Sequence, residues 1–153
     1  MYRIPDDLRA LIHSGPPTIV GTGDNSGRPH LAYGWAPRVH PDRVTVDVFL
    51  DTARADKTIE NLNANGRIAM TVAEPVSYRS VQLKGRFRDS GEPDESDKVY
   101  IQAGREAFAA KLSLIGDPPA VVRGLWLPDT VRITFTVEAA FDQTPGPEAG
   151  KPL

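Results

Sequence analysis

The chain has 153 residues, about the size of one ordinary domain, with 18 basic against 20 acidic side chains and a formal charge of -2. That balance supplies no positive field to hold a nucleic acid or an anionic membrane, and the lack of cysteine excludes disulfides, thiolate metal sites, iron–sulfur clusters and thiol nucleophiles. No apolar run approaches the roughly 20 residues that span a bilayer, and the N-terminus has no basic segment ahead of an apolar one, so a cytoplasmic location is expected.

Pro5, Asp6 and Asp7 suit the first turn of a helix, and Leu8, Leu11 and Ile12 share one of its faces until Ser14-Gly15-Pro16-Pro17 ends it. Thr18 to Thr22 predicts a short strand, and the polar turn GDNSGRP leads into a second strand, His30 to Val39, completing a hairpin. Glycines 21, 23 and 27 superficially match a dinucleotide fingerprint, but that motif requires a helix after the turn, and here a strand follows. Pro37 implies an edge position or a bulge. In the next strand, Arg43 to Leu50, Val44, Val46, Val48 and Leu50 point one way and Thr45, Asp47 and Phe49 the other, as for a strand with one side in a core.

The stretch from Asp51 to Val72 is the most informative. Thr52, Arg54, Lys57 and Thr58 crowd hydroxyls and cations around a helix start, where unpaired backbone N–H groups favour an anion such as a phosphate. Asp56 is expected to cap that helix, Ile59 and Leu62 to anchor it, and Asn65-Gly66 to stop it. A strand over Arg67 to Val72 precedes a regularly alternating one, Arg79 to Arg88. In the latter Val81, Leu83 and Phe87 face inward and Ser80, Gln82, Lys84, Arg86 and Arg88 outward.

Asp94 to Leu112 predicts the longest helix, with Ile101, Phe108, Leu112 and Ile115 near one stripe, Gly104 as a weak point and an open barrel mouth to cover. The last strand runs from Val131 to Ala140 with Val131, Ile133, Phe135 and Val137 buried. Short strands at close spacing argue for a mainly β fold, an antiparallel barrel with flanking helices. A single domain is expected over residues 1–141, followed by a Pro/Gly-rich tail, 142–153, that reads as disordered.

Chemistry is narrowed mostly by elimination. No Gly-x-Ser-x-Gly elbow or phosphate-loop motif occurs, and His13, His30 and His40 lack the spacing of a metal site, so no metal is expected and no catalytic side chain is assigned. What remains is an anion site on one loop beside the polar strand face from Ser80 to Arg88.

In this order of elements the chain resembles the flavin-binding split β-barrel family typified by pyridoxamine 5'-phosphate oxidase, over roughly residues 16 to 90. The resemblance is carried by Thr52 at a strand end, NLNANGRIAM from Asn61 to Met70, and RSVQLKG from Arg79 to Gly85. The family's Ser-Arg-Lys run falls on Asp56, Lys57 and Thr58, so the serine and one cation are replaced, and Gly66 stands where proline is usual.

The resemblance implies an antiparallel split barrel of the FMN-binding type. It implies that Thr52, Lys57 and Thr58 hold the phosphate of FMN, with Arg54 as a further cation, that Arg79 and Gln82 reach the phosphate or ring, and that Trp35, Ala36 and Asp51 line the flavin. It further implies a homodimer with the cofactor at the interface, to which Trp35, Trp126 and the tail from Asp142 could contribute. The function implied is an FMN-dependent oxidoreductase of a small-molecule substrate. The alternatives are a non-catalytic flavin- or haem-binding sensor or carrier, and a deazaflavin-dependent reductase.

Overall fold

A computed structural model describes residues 1–153. Six strands close one antiparallel barrel: β1 (Thr18–Gly23), β2 (Pro29–Val39), β3 (Thr45–Asp51), β4 (Arg67–Ala73), β5 (Ser80–Gly91) and β6 (Thr130–Asp142), in the spatial order β1-β2-β3-β6-β5-β4. The helices are α1 (Asp6–His13), α2 (Asp56–Asn65), α3 (Glu95–Ser113) and α4 (Pro119–Arg123). This is the antiparallel split barrel expected from the strand pattern and the family resemblance. No helix is long and apolar enough to cross a membrane.

The barrel interior follows directly from alternation. Val46, Val48 and Leu50 of β3 and Ile133, Phe135 and Val137 of β6 meet Val20, Met70, Val72, Val81 and Leu83 in one buried cluster. Leu8, Leu11 and Ile12 of α1 belong to that same cluster, so the short first helix plugs the barrel. The long helix does not cover the mouth as expected.

Instead α3 lies against the outer face of β2 and β3. Trp35, Ala36, Phe49 and Ile101 form a second buried cluster there, flanked by Tyr100, Phe108 and Trp126. The buried stripe of α3 is Asp97, Ile101, Arg105 and Ala109, spaced by four residues, and Ile115 is exposed. The predicted stripe shared only Ile101 with it, because two charged positions were excluded from an apolar pattern.

Gly104 is a contact point rather than a weak one: a Cβ there would stand 2.6 Å from the Ala36 Cβ. The helix starts cleanly, with Asp94 as N-cap in a capping box with Asp97.

Covering by α3 buries both sides of β3, so Asp47, Phe49 and Asp51 are as hidden as the residues facing the barrel core. Each buried carboxylate then needs donors. Asp47 accepts from Thr134 at 2.7 Å, Arg38 at 2.7 Å and His40 at 2.8 Å, and Arg38 also bonds Asp97 at 2.7 Å. Burial pushes the Asp47 carboxyl upward, but the bonds from Arg38, Thr134 and His40 outweigh it and leave the carboxyl below its usual range.

Three local expectations change. Ala55, not Asp56, occupies the N-cap of α2, and no side chain caps it; Gly66 does supply the left-handed stop, at φ 68°. Helix α4 falls in a segment without sequence pattern. The C-terminal tail is tied down: Gln143 N–H donates to Ser80 O at 2.8 Å, Leu153 N–H donates to Ala140 O at 2.9 Å, and Pro152 pairs with Phe141.

Two outcomes are expected. Helix propensity alone would make Gly104→Ala stabilising by about 1 kcal/mol, yet collision with Ala36 should turn the sign and destabilise by roughly 1–3 kcal/mol in urea unfolding. A lowered native pKa means that Asp47 stabilises fully above the unfolded Asp value of about 3.9 and loses that contribution as pH falls below it. The stability gap between wild type and Asp47→Asn should therefore be widest near pH 6 and narrow below about pH 4, as read from denaturation midpoints.

Candidate functional site

The barrel is split along β2. Its second half pairs with β3 from Trp35 opposite Phe49 onward, whereas the first half, from Pro29 to Gly34, bonds only to β1. The open edge faces the end of β3 and the single 3-10 turn Thr52–Arg54 that follows it. A bulge makes the divergence possible, with the register shifting between Trp35 and Arg38 and Ala36 held at φ 44°. Tyr100 of α3 fastens the bulge by donating to Pro37 O at 3.0 Å.

Two cavities occupy the split. One, of about 310 Å³, lies between His30 to Tyr33 of β2 and Leu50, Asp51 and Arg54. The other, of about 350 Å³, is bounded by Ile19, Tyr33 and Trp35 on the sheet side and by Phe108, Leu112 and Leu125 on the other. Tyr33, Asp51 and Arg54 border both, so they are two lobes of one cleft. Each lobe is in the size range of small-molecule sites, and the second has the mostly apolar walls such sites use.

The floor of the cleft is held by a buried ion pair. Arg105 of α3 donates to Asp51 Oδ1 at 3.0 Å and to Leu127 O at 2.9 Å, and Trp35 Nε1 donates to the same Oδ1 at 3.1 Å. The guanidinium lies 4.9 Å from the Trp35 ring and 5.9 Å from that of Trp126. Burial pushes the Arg105 pKa down, and the Asp51 charge offsets only part of that. Phe108 packs edge-on against Trp35 at 5.3 Å.

Arg54 differs from every cation discussed so far. It is exposed, borders both lobes, and forms no ion pair and no side-chain hydrogen bond.

The sequence-predicted residues divide into groups. Trp35 and Asp51 meet in the cleft, and Ala36 adjoins it, buried beneath Gly104. Thr52 points elsewhere, into a polar hollow with Glu92, Lys98 and Asp129. Lys57 is paired with Glu60 at 2.9 Å on the exposed side of α2. Thr58 is fully buried, with its Oγ1 unpartnered.

Arg79 is held by Asp7 at 2.6 Å, and Gln82 donates to Thr71 at 3.2 Å. Strand register puts Gln82 opposite Thr71, Thr71 opposite Ile19, and Ile19 opposite Tyr33. Two strand spacings, roughly 10 Å, separate Gln82 from Ile19 on the cleft wall, and three, roughly 14 Å, from Tyr33.

Arg105 was not singled out from sequence, where its signal is a charge spaced four residues from Ile101 on a helix; Phe108 was named only as part of an apolar helix stripe and His30 only as one of three scattered histidines.

The family model described as pyridoxamine 5'-phosphate oxidase matches residues 4–144. The chain belongs to the pyridoxamine 5'-phosphate oxidase family. Solved structures with the same fold include HupZ from Group A Streptococcus, at 20% identity over 96% of this chain and 99% of that one, with a TM-score of 0.58. An F420 reductase matches at 19% identity over 90% and 98%, with a TM-score of 0.58. An FMN-binding protein from Syntrophomonas wolfei matches at 16% identity over 88% and 82%, with a TM-score of 0.56. No curated protein is a significant match in sequence. The cleft of this chain has the Asp51–Arg105 pair on its floor and the unpaired Arg54 at its rim.

Proposed function

We propose that the chain is a cytoplasmic, FMN-dependent oxidoreductase acting on a small-molecule substrate as a homodimer. The observation that carries the reading is Arg54, an uncompensated cation where an aromatic lobe and a second lobe of the same cleft join. A cation so placed suits the phosphate of FMN, and Tyr33 and Trp35 suit a flat ring. Family membership and the fold shared with an FMN-binding protein support it. Bound flavin would supply the electron transfer, while these side chains bind and orient the ring. The phosphate contact moves from Lys57 and Thr58 to Arg54, because Lys57 is engaged by Glu60 and Thr58 faces the protein interior.

A homodimer is supported by exposed Ile19, Leu31 and Tyr33, which form an apolar strip on the outer sheet face beside the cleft. Gln82 shares that face, two strand spacings from Ile19. A deazaflavin is the second cofactor to test, motivated by the fold shared with the F420 reductase. A haem is the third, with His30 as the one histidine bordering the cleft.

The absorption spectrum of the purified protein separates flavin from haem, and consumption of reduced nicotinamide by the flavin-loaded protein separates an enzyme from a carrier. Arg54→Ala should weaken FMN binding about tenfold or more and leave riboflavin binding nearly unchanged, since a charge-assisted contact is worth about 1.5–3 kcal/mol. Lys57→Ala should do neither. Equal losses for both ligands in Arg54→Ala would remove the phosphate role. Sedimentation velocity should return twice the chain mass of 16.7 kDa; a monomer would overturn the homodimer.

A further inference from the structure

Buried carboxylates on β3 come in two kinds. At one end, every oxygen is supplied with donors: Asp47 Oδ1 accepts from Thr134, and its Oδ2 from Arg38 and His40. Asp97, facing it from α3, likewise accepts from Arg38 on Oδ1 and from Arg132 and the Asp94 N–H on Oδ2. That cluster fastens the helix to the barrel and leaves nothing over.

Asp51, two turns of the pleat away, is different. Its side chain is 3% exposed, and both of its bonds fall on Oδ1, from Trp35 and from Arg105. Oδ2 accepts no hydrogen bond, although the residue borders both lobes of the cleft. Oδ2 is open to the cleft and not sealed in the interior. An ionised carboxylate can only accept, so a ligand that displaces water from it must supply a donor or leave an unpaired acceptor behind, which is costly.

Arg105 keeps Asp51 from turning Oδ2 away from the cleft. Its guanidinium is anchored independently by Leu127 O and by the faces of Trp35 and Trp126, and its side chain is 7% exposed. The pair therefore has fixed geometry, with one oxygen consumed and the other left at the cleft.

We infer that Asp51 is a specificity-determining residue that demands an N–H or O–H donor from a planar ligand in the cleft, and that Arg105 is the positioning residue that aims it. This rests on the cleft being a ligand site and does not require that ligand to be FMN. A ring imide of a flavin or deazaflavin offers such a donor, and so does the amide or amine of a substrate. Rings that present only acceptors or methylated nitrogens would leave Oδ2 unpaired.

Calorimetric titration of the full chain with two probe pairs tests this. Lumiflavin against 3-methyllumiflavin tests the imide, and 2-naphthamide against N,N-dimethyl-2-naphthamide tests a substrate-like amide. The donor-bearing member of at least one pair should bind at least tenfold more tightly. The pair that discriminates identifies the source of the donor. In Asp51→Asn the amide oxygen can take over the bonds from Trp35 and Arg105, which puts its NH2 where Oδ2 stood, so the preference should vanish or reverse.

Arg105→Lys keeps the charge but loses the anchor to Leu127, so the ratio within the pair should shrink while the methylated probe binds as before. A purely structural role would weaken both members equally, and that outcome overturns the positioning claim. The inference fails if neither pair discriminates, if none of the four probes binds, or if Asp51→Asn keeps the wild-type preference. A chain that binds no flavin but discriminates the naphthamides loses the FMN reading and keeps this one. A chain that binds FMN through Arg54 yet treats both pairs alike does the reverse.

Discussion

The burial of the outer face of β3 under α3 is the constraint from which the rest of the molecule follows. A barrel strand normally hides one side and solvates the other, so residues such as Asp47 and Asp51 would sit in water. Here a helix is laid across them, and desolvation of each carboxylate has to be met by a partner. Arg38, His40 and Thr134 meet it at one end, and Arg105 with Trp35 meets it at the other. Between the two, Phe49, Ile101 and the close approach of Gly104 to Ala36 supply the apolar contact. The helix is thus held by charge at both ends and by packing in the middle.

The cleft is a by-product of the same arrangement. For α3 to seat, β2 must bulge at Ala36 and Pro37, and the bulge ends its pairing with β3. The unpaired half of β2 then diverges from the 3-10 turn that carries Arg54. Two lobes open in the gap, one walled by the helix that caused it. The cleft and the docked helix therefore share residues: Trp35 and Asp51 are at once part of the α3 contact and part of the cleft wall. Rigid surroundings for a few polar groups are what a binding site requires.

Much of the barrel was legible in the sequence. Alternation in Val44 to Leu50 and in Val81 to Leu83 located inward faces correctly, and Gly66 marked the end of α2 by its need for a left-handed backbone. The family resemblance matched the fold. The residues expected at the site are only partly brought together. Lys57 and Thr58 occupy the expected places in the chain, but α2 turns one toward Glu60 and the other into the core. Nothing local could reveal this, since the rotation of a two- to three-turn helix about its axis is set by what it packs on. The buried stripe of α3 was missed for a related reason: Asp97 and Arg105 look like solvated residues until their partners on β2, β3 and β6 are known.

What the sequence by itself determined is which segments are strands, which way their side chains alternate, and that cations and hydroxyls gather after β3, because periodicity and turn chemistry act within a few residues. Only the tertiary structure decided which of those groups share a cleft. It joined Asp51 to Arg105 across 54 positions of chain and left Arg54 unpaired. It also set Gln82 two strands along the sheet from the cleft and tied Arg79 to Asp7, because strand order and helix docking are settled by long-range burial, to which local pattern is blind.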